Sequence, residues 1–315
     1  MTANHVVLGT GAIGRAIMDE LVKRGETVCM VNQSGKMDEV PAGVEVVASD
    51  LYDPARVKDV TRGAKVVYQC AQPRYYEWPK KFPALQKSIL DGLTGSGAKL
   101  VIAENLYMFG DTDGVPITEN LPYNAHTRKG KVRAELSEAA LAAHRDGKVP
   151  VTIGHGADFF GPWATISAYG SRVFSRLMHG KDARIALSAK MPHTLTYIPD
   201  LGKSLVILGE RTEADGQAWH VPNDLPRISQ GEMIQMIAEE AGVEAKVMVT
   251  PKLMFSMLGL FDAELKEIIE MLYMYEKPFV VDSSKFEKTF GMKATSRKEA
   301  IKETVKWFKS HPEIK

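Results

Sequence analysis

Three glycines set the chemistry this sequence can do. Gly9-Thr10-Gly11-Ala12-Ile13-Gly14 follows the β-branched run 5–8 and opens a segment whose apolar residues, Ile13, Ala16, Ile17 and Leu21, repeat at helical spacing. In that setting Gly9 permits a tight turn, Gly11 lets backbone approach a pyrophosphate, and Gly14 lets the helix pack close to the strand. Amides of Gly11, Ala12, Ile13 and Gly14 at the helix N-terminus would then meet the phosphates, which the helix dipole favours. The end of the second strand, about 20 residues on, reads Asn32-Gln33-Ser34-Gly35-Lys36, without the carboxylate that holds an adenosine ribose. Asn32, Gln33 and Ser34 can donate to a 2′-phosphate, so NADP is expected in preference to NAD, which stays open. Asp50 and Leu51, after the third strand, are candidates for the adenine side, with an ordinary cap as the alternative for Asp50.

Other chemistries find little support. The eight histidines are scattered and the two cysteines, Cys29 and Cys70, fall in apolar runs, so no metal site is expected. No GxSxG elbow is present. Forty basic residues against 39 acidic ones give a net charge of +1, which offers neither nucleic acid nor an anionic membrane a broad electrostatic footprint. Two cysteines cannot make a disulfide framework, and no apolar run approaches the roughly 20 residues of a membrane span, so the expected location is cytoplasmic.

The elements that must position the glycine loop follow from alternation. Short apolar runs at 5–8, 27–31, 44–48, 65–70, 99–103 and 151–154 alternate with helical patterns near 54–62, 82–95 and 128–145. The expected class is α/β: a Rossmann-like, doubly wound parallel sheet over residues 1–155, then a smaller, mostly helical substrate-binding region over 156–315. Residues 200–221 are expected to return to the sheet, with AWHV as a strand. Helical patterns continue over 165–179, 229–241, 251–276 and 295–309. The Met- and aromatic-rich part of 251–276 suits core or subunit packing, or a lid over substrate.

GTGAIG, CAQP, VIAENLYMFGD, RKGKVRAE, DFFGP, PHTLTYIPD and the closing VDSSKFEKTFGMKATSRKEAIKETVKWF together resemble the short-chain dehydrogenase/reductase superfamily, in its extended, epimerase/dehydratase-like branch. The resemblance covers nearly the whole chain. It implies that Ala71 and Gln72 line the nucleotide, that Asn105 fills the active-site Ser/Thr position, and that Lys131 fills the Lys position, touching the nicotinamide ribose. The catalytic Tyr position, four residues before, then holds Thr127. Tyr107, at the carboxyl end of the fifth strand, is the expected substitute proton donor, its phenol lowered by the Lys131 ammonium.

Tyr75, Tyr76 and Trp78 are expected over the nicotinamide and an apolar substrate, with Asp158, Phe159 and Phe160 as the facing wall. Glu104 is expected to orient substrate or to pair with Lys131 or Arg128. His126 and His155 are candidate proton shuttles, whereas His193 and Tyr197 read as structural and Asp200 as the cap of a helix from Leu201. The expected partner is a small molecule, with no nucleic acid and no membrane; the resemblance allows a homodimer. Three functions compete: an NAD(P)-dependent oxidoreductase of organic carbonyls and alcohols, a nucleotide-sugar epimerase or dehydratase using Arg172, Arg176 and Arg184 on a diphosphate, and a non-catalytic NADP sensor.

Overall fold

The computed structural model describes residues 3–258 and 263–314. Seven strands form one parallel sheet in the order β10-β6-β5-β4-β1-β2-β3. They are β1 (His5–Leu8), β2 (Val28–Asn32), β3 (Val44–Ala48), β4 (Val66–Gln69), β5 (Lys99–Glu104), β6 (Val151–His155) and β10 (Ala218–His220). Alternate side chains of each strand enter opposite cores, as a pleated strand covered on both faces requires. Val6 and Leu8 join Val67, Leu100 and Ile102 in one core, while Val7 joins Met30, Tyr68 and Val101 in the other. Helices α2 (Pro54–Val60), α3 (Trp78–Leu93) and α4 (Arg128–Arg145) close the first core with Val57, Ile89 and Leu136. Helices α1 (Ala12–Lys23) and α6 (Ile198–Glu210) close the second with Ile17, Leu21, Leu201 and Leu205.

The remaining elements are β7 (Asp158–Phe160), β8 (Ala183–Ala186), β9 (Leu195–Tyr197), β11 (Val247–Thr250), α5 (Ser175–Met178), α7 (Gln230–Ala241), α8 (Lys252–Leu258), α9 (Ala263–Ile269), α10 (Ser284–Phe290) and α11 (Arg297–Ser310). Two-stranded parallel pairs β7–β9 and β8–β11 flank a third core of Phe160, Phe174, Ile237, Ile301 and Phe308.

Several expectations need correction. The helical pattern over 165–179 becomes a π-helical turn, Gly170–Phe174, running into the short α5. A Cβ on Gly170 would lie 2.1 Å from the Ala164 carbonyl oxygen, so the preceding loop folds back onto it where a regular helix would run. The pattern over 251–276 is divided into α8, α9 and a 3-10 turn, Leu272–Tyr275, with 259–262 outside the described residues. α6 starts at Ile198, ahead of Asp200, and Asp200 caps nothing: its carboxylate accepts the Thr295 backbone N–H at 2.8 Å and the Thr295 hydroxyl at 2.7 Å, tying down the chain before α11.

Candidate active site

One cleft of about 1180 Å³ runs along the carboxyl ends of the sheet strands. That is where ligands bind in open α/β sheets. At one end it is lined by Gly11, Ala12, Ile13 and Gly14, at the start of α1. Gly9 takes φ +119°, and a Cβ there would come within 2.8 Å of the Ala71 amide nitrogen. A Cβ on Gly14 would sit 2.0 Å from the Gly9 carbonyl oxygen, whereas one on Gly11 would meet nothing within 4 Å. The loop is therefore closed tightly on itself and open toward the cleft. No side chain caps α1, and its first turn carries no acid, so its leading amides remain available to an anion. The residues present fit a dinucleotide diphosphate.

Ala71 and Gln72 line the cleft, as do Tyr75, Trp78, Glu104, Asn105 and Tyr107. Asn105 Oδ1 accepts the Tyr107 backbone N–H at 3.1 Å and shapes the turn that aims the phenol. α4 begins directly beneath this turn because Gly130 has no side chain: a Cβ there would be 2.5 Å from the Tyr107 carbonyl oxygen.

The α4 face differs from the one expected. Lys131 is exposed and does not line the cleft. Residues two apart on a helix point about 200° apart, so Lys129 and Arg133, one turn apart on the buried side, face inward in its place. Arg133 is 4% exposed and donates to Glu104 at 2.9 Å and to Gln72 at 3.1 Å, with its guanidinium 4.0 Å over the Trp78 ring. Glu104 thus pairs with Arg133, and with neither Lys131 nor Arg128. Burial raises the Glu104 carboxyl above its ordinary value against the pull of Arg133. Lys129 is fully buried, with its ammonium 4.3 Å from the Tyr75 ring centre. It is held by Glu267 and, at 3.4 Å, by Glu270, while Arg128 reaches Glu267 at 3.0 Å. The strap that carries these acids also supplies Ile268, Met271, Met274 and Tyr275 to the cleft wall.

Burial first, then the charge of Asp158, pushes the Tyr107 phenol up to about 12, against a hydrogen bond from Tyr75 and the charge of Arg133. The expected lowering by a lysine does not occur, because the cation nearby is an arginine already committed to Glu104.

Asp158 itself is held by residues remote in sequence. Its Oδ2 accepts the His193 Nε2 proton at 2.8 Å and the Tyr275 hydroxyl at 2.5 Å, and His193 and Tyr275 stack with ring centres 4.8 Å apart. Burial would raise this carboxyl, but the two hydrogen bonds and the His193 charge outweigh it and bring it below its ordinary value. A carboxyl lowered by folding contributes stability that is present above its unfolded pKa and is lost as pH falls through the folded one. We therefore expect Asp158→Asn to flatten the acid limb of thermal stability below pH 3.8, the ordinary aspartate value, with little effect on its slope above pH 6; melts from pH 3 to 7 check this.

Other expected site residues lie elsewhere. Tyr76 is 42% exposed, takes a hydrogen bond from Arg74 at 3.2 Å and does not line the cleft. Phe159 lines the cleft, but Phe160 is buried in the third core, stacked on Phe174. Both Asn32 amide protons are used, on the Thr10 hydroxyl at 2.9 Å and the Lys36 carbonyl at 2.7 Å, so Asn32 organises its loop and has no donor left for a phosphate. Gln33 and Ser34 are exposed. Asp50 accepts the Tyr52 N–H at 2.9 Å in a local turn, and Leu51 packs in the first core. His155 is buried beneath the site, its ring nitrogens without hydrogen-bond partners among the described residues. Burial, then His220, depresses its pKa well below the ordinary value, so it is no shuttle at the surface. His126 is exposed and packs edge-on to Tyr273. The roles of Arg133, Lys129, His193 and Tyr275 escaped the sequence reading.

Residues 9–142 match the family model described as NAD(P)H-binding. No curated protein matches the chain. Among solved structures, an epimerase from Methanothermobacter thermautotrophicus superposes with a TM-score of 0.81 at 17% identity, over 99% of this chain and 94% of that one. A dTDP-glucose 4,6-dehydratase from Bacillus anthracis gives 0.80 at 13% identity, over 99% and 98%. A UDP-N-acetylglucosamine 4-epimerase from Bacillus cereus gives 0.76 at 14%, over 96% and 95%. Residues 9–142 thus resemble an NAD(P)H-binding segment, and the chain shares the Rossmann-like fold of these epimerases and this dehydratase.

Proposed function

We propose that this chain is an NADP-preferring oxidoreductase that exchanges a hydride between the nicotinamide and a small-to-medium organic carbonyl or alcohol, with a small molecule as its partner. The observation that carries the reading is the single cleft that joins the amides of Gly11–Gly14 to Glu104, Asn105, Tyr107 and Arg133. The nicotinamide would supply hydride transfer; the protein places the reacting carbon and handles the proton. Lys129 and Arg133, four residues apart, occupy the inward face of α4, whereas the residues that the family resemblance puts in its Tyr and Lys positions are Thr127, the cap of the helix, and the exposed Lys131. Arg133 holds a fixed guanidinium beside the cofactor's expected ribose, with Gln72 as its second anchor. Tyr107, kept protonated by burial, donates a hydrogen bond to the substrate oxygen. Support for NADP is the absence of a carboxylate at the end of β2, together with exposed Gln33, Ser34 and Lys36.

A second reading, epimerase or dehydratase, is favoured by one observation: Arg172, Arg176 and Arg184 line the far end of the same cleft, placed for a diphosphate. Titration decides. NADPH is expected to bind more tightly than NADH, Lys131→Ala to leave its Kd within about twofold since that side chain is exposed, and Tyr107→Phe to slow NADPH oxidation by aldehydes, ketones or enones about 100-fold. Copurified, non-exchanging NAD and turnover of a UDP- or dTDP-sugar would select the second reading instead.

A further inference from the structure

The middle of the cleft holds a carboxylate that nothing in the described chain neutralises with a lysine or arginine. Arg133 is matched by Glu104, and Lys129 by Glu267 and Glu270. Asp158 has only the Nε2 proton of His193 and the hydroxyl of Tyr275, both on Oδ2. Its Oδ1 has no hydrogen-bond partner among the described residues, and Asp158 lines the cleft. The surrounding wall is aromatic: Tyr107, Phe159, Tyr169 and Tyr275 line the same space. Burial first, and the charge of Asp158 in addition, raise the phenols of Tyr75, Tyr107, Tyr169, Tyr273 and Tyr275 above their ordinary values. Aromatic rings around one half-buried carboxylate are the recognition chemistry of an organic cation. They are poorly suited to the proton donation that a neutral ketone demands once hydride has arrived.

We propose that the hydride acceptor is a protonated imine, held with its C=N⁺ beside Asp158 Oδ1 and the rings of Tyr107 and Tyr275. This rests on the nicotinamide-dependent reading above and replaces its carbonyl by an iminium. The reaction balances without an acid from the protein. The iminium carbon gains the hydride, the C=N π pair moves onto nitrogen, and a neutral secondary amine forms. The dihydronicotinamide is oxidised to the nicotinamide cation, so the positive charge passes from substrate to cofactor. A ketone at the same place would become an alkoxide and need a proton at once. The absence of a tyrosine from α4, where Thr127 fills the position that the resemblance gives it, is then no defect, because no proton has to be delivered from there.

The test uses 3,4-dihydroisoquinoline as the imine and 1-tetralone as its neutral carbonyl counterpart, with 1,2,3,4-tetrahydroisoquinoline as a non-reducible ammonium. NADPH-loaded protein is expected to favour the imine over the ketone by about 100-fold in kcat/KM. NADP⁺-loaded protein is expected to bind the ammonium about 30-fold more tightly than the ketone. Asp158→Asn, which keeps acceptors for His193 and Tyr275, should remove most of both preferences with the NADPH Kd unchanged. Equal or better use of 1-tetralone, no ammonium preference in the unsubstituted protein, or a preference that survives Asp158→Asn would overturn the proposal. Absence of NADPH binding would instead overturn the nucleotide reading beneath it, and calorimetry with NADPH alone separates the two failures.

Discussion

Gly11→Val is expected to abolish dinucleotide binding while leaving the fold intact, and Gly14→Ala to do the reverse in order of cause. At Gly11, φ is −75° and a Cβ meets nothing within 4 Å, so a side chain there stands in the space that the phosphates need. Unfolding stability should change by no more than about 1 kcal/mol, while NADPH affinity falls at least about 100-fold. At Gly14 a Cβ would press into the Gly9 carbonyl at 2.0 Å, backbone against backbone. The strand–loop–helix unit must then spread, at a cost of about 3 kcal/mol, and binding fails because the loop has moved. Urea unfolding and NADPH calorimetry on both variants check the pair. A Gly11→Val protein that binds NADPH normally would remove the diphosphate from this loop.

The second large effect is expected at the Arg133–Glu104 pair. With 4% and 3% exposure, neither charge can fall back on water. Arg133→Met should cost about 3–5 kcal/mol by stranding Glu104, and Glu104→Gln a comparable amount by stranding the guanidinium. Arg133→Met combined with Glu104→Gln should recover more than about 2 kcal/mol of the summed loss, since two buried charges vanish together. Acidity supplies an internal control. Without Arg133 the Glu104 carboxyl rises further, so its penalty is present at pH 7 and is relieved as pH falls through the raised folded value toward the ordinary 4.5. Arg133→Met should therefore approach the parent protein's stability near pH 5, and the double variant should not. Denaturant midpoints at pH 5 and 7, combined in a double-mutant cycle, measure this.

What the sequence made legible was local. β1, β3 and α4 have the boundaries the pattern predicts, because β-branched runs, the Thr127 cap and the glycine loop act within a few residues. The rotation of α4 was also present in the pattern. Val132, Leu136 and Ala140 form its apolar stripe, which places Lys129 and Arg133 inward and Lys131 beside Glu135 in water. The Tyr and Lys spacing that the family resemblance implies puts Lys131 inward instead, half a revolution from where this stripe places it. The surroundings of Asp158 were not legible in the same way. His193 is 35 residues away and Tyr275 is 117, and no periodicity links them. Only the β7–β9 pairing and the turn at Leu272–Tyr275 bring them to one carboxylate. Tyr76 and Phe160 were misplaced for the opposite reason: they neighbour true lining residues in sequence, but a turn sends one to solvent and the alternation of a strand sends the other to the core.

The buried clasp between Lys129 and the two glutamates of the strap makes the cleft wall and the helix beneath it a single inheritable module. Anyone transplanting the wall, residues 263–276, into a related scaffold to alter its substrate range would have to carry residues 128 and 129 along. A graft without them would leave either acids or an ammonium marooned in the interior, and libraries that shuffle the two segments independently should yield mostly unfolded chimeras.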